Sequence, residues 1–298
     1  MDQAMKQNLK ILATKIRRDV VEMIGPDGHV GHLGGSCSSA DIVAVLFGKW
    51  MRFDPTKPQW EGRDKLVFSK GHACIAQYAA LCEYGYFGRE ELSKLKTLGS
   101  MLQGHPDRNK TPGIEANTGS LGQGLSICNG MALAARLDHL DTKIYCILGD
   151  AELAEGQVWE AAMTSAVYGL DNVVAFVDHN GLSATGPIEE RFDVNPIADK
   201  WRGFGWNVLC IDGHDVEAID NALAVADSVK GTPTVIIAET VKGKGISFAE
   251  NVAAFHNGAL TAQQFRQACR ELEEQLEQAI SRELLHPLHL EDRVQFSG

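Results

Sequence analysis

The chain has 298 residues, of which 44% are hydrophobic and 22% charged, enough apolar material to bury a sizeable core in one large domain or two small ones. Asp and Glu outnumber Lys and Arg by 39 to 28, and a formal charge of -11 argues against a nucleic-acid backbone or an anionic membrane surface as partner, so any phosphate must be held locally. No apolar run approaches membrane-spanning length, and Met1-Asp2 opens a polar amphipathic stretch with no secretory pattern.

In chain order, Gln3 to Met23 carries apolar residues at Leu9, Leu12, Ile16, Val20 and Met23, the spacing of an amphipathic helix, which Gly25-Pro26 stops. Gly31-His32-Leu33-Gly34-Gly35-Ser36 then forms a Gly-rich turn feeding a helix from Ser38 to Trp50. A short strand from Asp64 to Phe68 ends in Ser69-Lys70-Gly71-His72, which puts His72 at the junction with a helix from Ala73 to Tyr84. The stretch from Leu102-Gln103-Gly104-His105-Pro106 to Asn117-Thr118-Gly119-Ser120-Leu121-Gly122-Gln123-Gly124 is dense in Gly, Pro and polar residues and reads as a functional loop.

Ile144 to Leu148 and Val173 to Val177 read as buried strands joined by a helix from Gln157 to Leu170, a βαβ unit. A strand over Trp206 to Ile211, a helix over Val216 to Ala226 and a strand over Thr234 to Ala238 extend the alternation. The expected class is α/β, a parallel sheet with helices on both faces, in a single domain over residues 1–298. Thr261 to Leu285 reads as a charged amphipathic helix with Phe265, Leu272, Leu276 and Ile280 on one face, followed by a tail. The seven cysteines are scattered singly with no CxxC, which disfavours a disulfide framework or a zinc site; small buried apolar residues in a reducing cytoplasm is the expectation.

Two strand ends carry chemistry. Gly149-Asp150-Ala151-Glu152 follows one and Asp178-His179-Asn180-Gly181-Leu182 the next, both at the carboxyl edge where open parallel sheets bind ligands, so Asp150 and Asn180 can meet. One Asp, one Asn oxygen and a backbone carbonyl suffice for Mg2+, which completes its shell with waters and phosphate oxygens. Standing alone, the Gly-Asp and Asn-Gly dipeptides are also what ordinary strand-end turns contain. Other phosphate devices are absent: Gly243-Lys244 is followed by Gly rather than Ser or Thr, and Gly122-Gln123-Gly124 lacks the third glycine of a dinucleotide fingerprint.

Seven segments, GHLGGS, SKGHA, QGHP, NTGSLGQG, GDAELAEG, DHNGLS and KGKG followed by a histidine, occur in the order found in transketolases, and from Gly31 to about His256 the sequence resembles that family. The resemblance implies the diphosphate-binding domain of a thiamine-diphosphate-binding fold. It implies that Asp150, Asn180 and the carbonyl of Leu182 chelate Mg2+, with Ca2+ or Mn2+ able to stand in, and that Gly149 and Ala151 join them around the diphosphate. His32, His72, His105 and His256 map to the histidines around the reactive thiazolium carbon and the sugar hydroxyls, with His72 and His256 also touching the cofactor. Imidazoles suit that task because they hydrogen-bond hydroxyls and move protons near neutral pH. Gly119, Ser120 and Leu121 map to the loop that packs on the cofactor rings, and Glu155 to an acid at the cofactor and the subunit interface. The other histidines, His29, His139, His179, His214, His286 and His289, read as surface or structural.

Ala151, Leu33 and Ser120 stand where the family usually has Gly, Pro and Pro; none removes a side-chain ligand, and Ala151 is tolerable if its φ stays negative. The larger departure is length, since single-chain transketolases add a pyrimidine-binding and a third domain. The resemblance therefore implies a two-carbon ketol transfer between sugar phosphates that is active only with a second subunit carrying those domains, in an α2β2 heterotetramer. A component of another thiamine-diphosphate enzyme acting on a 2-oxo acid, and a non-catalytic protein that kept the fold, are the alternatives.

Overall fold

The computed structural model of the protein describes residues 1–26 and 30–284. His29, His286, His289, Leu285 and the expected tail lie outside the described residues. Five strands, β1 (Lys65–Phe68), β2 (Ile144–Gly149), β3 (Val173–His179), β6 (Asn207–Asp212) and β7 (Thr234–Glu239), form one sheet in the order β1-β2-β3-β7-β6, every pair parallel. A separate antiparallel pair, β4 (Leu182–Ser183) and β5 (Gly186–Pro187), sits just beyond β3. The helices are α1 (Gln3–Ile24), α2 (Leu33–Ser38), α3 (Ala40–Val45), α4 (Ile75–Glu83), α5 (Gly124–Leu137), α6 (Gly156–Val167), α7 (Ile188–Arg191), α8 (Ile197–Gly203), α9 (Val216–Ser228) and α10 (Ala262–Leu284).

The apolar runs become central strands because both faces of the sheet are covered. Tyr145 and Ile147 of β2, Val174 and Phe176 of β3, and Ile236 and Ala238 of β7 point into one hydrophobic cluster, shared with α1, α3, α4 and α9. The alternate residues Cys146, Leu148, Ala175, Val177, Val235 and Ile237 enter a second cluster with α5, α6 and α8. The expected α/β class is therefore the observed one. β6 lies at the edge and is only partly covered, so Cys210 is exposed and Cys269 of α10 is half-buried, a correction to the expectation that every cysteine is buried.

The expected helix from Ser38 to Trp50 is instead α3 followed by a wider turn over Leu46–Trp50, with α2 beginning earlier at Leu33 and ending at the Ser39 junction. In α10 Leu272 and Leu276 are buried and Phe265 is partly buried, but Ile280 is exposed where the helix runs past the core. Among the described residues no helix is long and apolar enough to cross a membrane.

Candidate active site

The parallel register decides what meets what. Gly149 pairs with Asp178, so the segments leaving β2 and β3 emerge side by side, while Ser69 leaves the end of β1 next to them. Asp150 begins a short 3-10 turn over Ala151–Ala154; its Oδ1 accepts from the Ala151 amide at 2.7 Å and its Oδ2 from the Gly181 amide at 2.6 Å. Ala151 is absent from the positive-φ residues among those described, so its extra methyl fits the turn. Asn180 donates through Nδ2 to Asp178 at 3.0 Å, while its Oδ1 accepts from the Leu182 amide at 3.2 Å, which fixes which end of the amide is oxygen. The Leu182 carbonyl accepts from the Lys242 ammonium at 2.7 Å.

These groups open into a cleft of about 340 Å3 that also takes in His32, His72 and His256, Gly119 and Leu121. The imidazole centroids of His32 and His72 are 4.9 Å apart, His72 and His256 5.0 Å, His32 and His256 5.5 Å, and His32 and His105 6.3 Å. His105 stands at the rim, and Gly119, at φ +146, lets the loop pass its ring where a Cβ would come within 2.8 Å of it. Paired amide-carbonyl bonds of 3.1 and 3.0 Å between Gly31 and Gly258 bring the His32 and His256 segments together. Ser120 and Glu155 are exposed and do not line the cleft, whereas Gly119 and Leu121 do; Glu155 stands at the start of α6.

Burial lowers the basicity of the cluster. Burial, reinforced by neighbouring charges, brings His32 down to about 3, His72 to about 2 and His256 to about 4, and lowers His105 as well. All are neutral at pH 7 and act as hydrogen-bond donors or acceptors. Because the unfolded chain takes up protons near the ordinary value of 6.5 and the folded one does not, stability falls as pH drops below that value toward the folded pKa values. The melting temperature is expected to decrease from pH 7 to pH 5, with His72→Asn showing a shallower decrease; an identical slope in the variant would contradict this.

Several enclosed charged residues at the cleft escaped the sequence reading although they lie inside the quoted motifs. Lys70 and Asp178 form an ion pair that is fully enclosed, and Asp178 also accepts from Ser38 and Thr240, both at 2.6 Å. Burial pushes the Asp178 carboxyl up, but Lys70 and these hydroxyls outweigh it and hold it below the usual carboxylate range. Burial, with the charge of Asp178, raises Asp150. Glu152, raised by burial, accepts from the Ser69 hydroxyl, from Gly122 at 2.8 Å and from Gly149 at 2.9 Å, and so joins three of the loops. Burial brings Lys242 down to about 8. The signal available in sequence was a lysine followed directly by glycine, in SKGH and in KGKG.

Gly71 marks a close backbone approach at the site: a Cβ there would lie 2.7 Å from the Gly119 amide and 2.6 Å from Thr118 Oγ1. Gly71→Ala is expected to cost about 1–3 kcal/mol, the usual range for overpacking, as read by denaturant unfolding, because backbone rather than a flexible side chain must give way.

Thiamine diphosphate with a divalent cation fits these residues on two counts. The buried Nδ1 of His256 has no hydrogen-bond partner, as an atom awaiting a ligand would. Asp150, Asn180 and Leu182 present oxygen donors only, the set a hard cation prefers. Among the described residues no group of three or more His, Cys, Asp and Glu side chains could hold a metal.

Comparison with known proteins bears on the thiamine diphosphate part of this fit. The family model described as "Transketolase, thiamine diphosphate binding domain" matches residues 4–285. The chain is 46% identical over 268 residues to the 6-deoxy-6-sulfo-D-fructose transketolase subunit SqwG of Clostridium sp. (strain MSTE9), covering 90% of this chain and 97% of that protein. It is 40% identical over 271 residues to an apulose-4-phosphate transketolase subunit of Phocaeicola vulgatus, covering 91% and 96%. Among solved structures, transketolase from Pichia stipitis in complex with sedoheptulose 7-phosphate superposes with a TM-score of 0.79 at 29% identity, covering 95% of this chain and 45% of that one. Transketolase from Campylobacter jejuni gives 0.79 at 29% identity, covering 97% and 51%. The chain thus spans about half the length of these solved relatives.

Proposed function

Because the chain belongs to the transketolase family through its thiamine diphosphate binding domain, we propose that it is the diphosphate-binding subunit of a two-component transketolase. The whole chain serves as one such domain. Its reaction is the transfer of a two-carbon ketol unit from a ketose phosphate to an aldose phosphate. The observation that carries this reading is the placement of the Asp150, Asn180 and Leu182 oxygens in the same cleft as His32, His72 and His256.

In this reading Asp150, Asn180 and the Leu182 carbonyl hold Mg2+, or Ca2+ or Mn2+ in its place, and the Gly149, Ala151 and Asn180 segments border the diphosphate. Lys242 adds a positive charge on the same side. Gly119 and Leu121 bear on the cofactor rings. Bound thiamine diphosphate supplies a thiazolium carbon able to stabilise the carbanion that cleavage next to a ketone requires. The chain's part is to orient and to manage protons. Neutral imidazoles at His32, His72, His105 and His256 accept from or donate to sugar hydroxyls, and the unpaired Nδ1 of His256 is available for one such bond.

Glu155, exposed at the start of α6, is left to meet the second subunit. That subunit carries the pyrimidine-binding domain, and the assembly is an α2β2 heterotetramer in the cytoplasm. Two relatives that this chain covers almost end to end are themselves named as transketolase subunits, which supports the division. Co-expression with the subunit bearing the pyrimidine-binding domain, followed by a ketol-transfer assay with thiamine diphosphate and Mg2+ over a panel of ketose donors, tests the proposal. Transfer from at least one donor is expected. Silence on the whole panel, or decarboxylation of a 2-oxo acid instead, would overturn it.

A further inference from the structure

We propose that Lys242 closes the divalent-cation site to a metal ion arriving alone and admits it only together with a polyanionic ligand of the diphosphate type. The inference rests on the reading of Asp150, Asn180 and Leu182 as metal ligands. It concerns what the site does before it is filled, which that reading leaves open.

The geometry is direct. The Lys242 ammonium donates at 2.7 Å to the Leu182 carbonyl, one of the three oxygens a metal would need, and it is enclosed within the same cleft as Asp150. Asp178 is matched by Lys70, and Lys242 is the ammonium left beside Asp150 and Glu152, the latter engaged by the Ser69 hydroxyl and the Gly122 and Gly149 amides. A divalent cation at that carbonyl adds two positive charges beside a buried ammonium, where repulsion is screened far less than in water. A diphosphate brings enough negative charge to reverse the balance, so metal and anion favour each other through Lys242 in addition to any contact between them.

Lys242 cannot simply step aside. Its stem lies against Gly34, where a Cβ would fall 2.8 Å from Lys242 Cγ and 3.2 Å from Cε. Its backbone is pinned on both sides, because the Gly243 amide donates to the Gly34 carbonyl at 3.0 Å and the Val241 amide to His214 Nε2 at 2.8 Å. His214 is in turn held at 2.7 Å by Asp41, which is paired with Arg17. A cation fixed in this way behaves as a permanent part of the site rather than as a mobile surface charge.

Mn2+ binding to the full chain, followed by electron paramagnetic resonance with and without inorganic diphosphate, tests this without any catalytic assay. The native chain is expected to hold Mn2+ weakly alone and much more tightly with diphosphate. Lys242→Met should bind Mn2+ alone at least tenfold tighter than native and show at least tenfold less enhancement by diphosphate. Lys242→Arg, which keeps the charge, should retain the native pattern. If Lys242→Met is not folded by circular dichroism, Lys242→Gln carries the same expectation. Mn2+ binding alone that is no tighter in the neutral variant than in the native chain would overturn the proposal. If diphosphate fails to enhance binding in the native chain, or Asp150→Asn binds Mn2+ as the native chain does, the metal site itself is misassigned and the role given to Lys242 falls with it.

Discussion

Asp150→Asn is expected to abolish ketol transfer and weaken metal-dependent thiamine diphosphate binding by about a hundredfold or more, roughly 2.7 kcal/mol, while leaving unfolding nearly unchanged. The two halves of this result have separate causes. Asp150 is the sole carboxylate in the proposed ligand set of Asp150, Asn180 and Leu182, so its charge is what an incoming cation chiefly gains. In the folded chain the same charge is unwelcome: burial, with Asp178 nearby, raises its pKa, which means that the ionised form at neutral pH costs stability. Asparagine removes that cost but keeps only one acceptor for the two amides, Ala151 and Gly181, that the carboxylate now receives. The lost hydrogen bond, worth about 1 kcal/mol, acts against that relief. Calorimetric titration with thiamine diphosphate and Mg2+, beside a melting curve, reads both; binding retained within a few fold would remove Asp150 from the site.

Lys70→Met carries the largest expected stability effect. Lys70 is enclosed between Asp178 and the Gly35 carbonyl, to which it donates at 2.8 Å. Its loss strands a fully buried carboxylate with only Ser38, Thr240 and Asn180 as donors. Breaking such a pair from one side costs about 3–5 kcal/mol, whereas neutralising both partners costs less. Urea unfolding should place Lys70→Met well below native and the double variant Lys70→Met/Asp178→Asn above the single one. A single variant within 1 kcal/mol of native, on the order of an exposed pair, would show that the ion pair is not sealed from water.

The parts of the fold written in local pattern were legible. Uninterrupted apolar runs from 144, 173 and 234 became β2, β3 and β7 because a sheet covered on both faces leaves no polar alternation to read. The strand ends moved by one or two residues, since β3 continues through Asp178 and His179, polar residues that hydrogen-bond partners stabilise. The 14-residue α5 was missed along with the shorter β4, β5, α7 and α8, which are too brief to show a period, and neither Gly nor Pro marks the break at Ser39.

Asp150, Asn180, His32, His72 and His256 share one cleft, with His105 beside it, and motif order is what singled them out in the sequence. Lys70, Asp178, Glu152 and Lys242 occupy neighbouring letters of the same motifs, yet their importance lies in being charged and enclosed, and enclosure is set by segments distant in sequence. Glu155 and Ser120 were named by family position alone, and in the folded chain both are exposed and outside the lining of the cleft.

The cleft draws on segments from His32 to His256, so the groups facing it are separated by most of the described chain and come together only when β1, β2, β3 and β7 are all in place. A molecule lodged there is therefore sensed by the entire sheet at once, and any resistance it lends against heat is shared by strands it never touches. At a hundred times its dissociation constant such a guest adds about 2.7 kcal/mol, which makes a simple thermal-shift screen of small anions and sugars a way to identify what this chain holds in the cell.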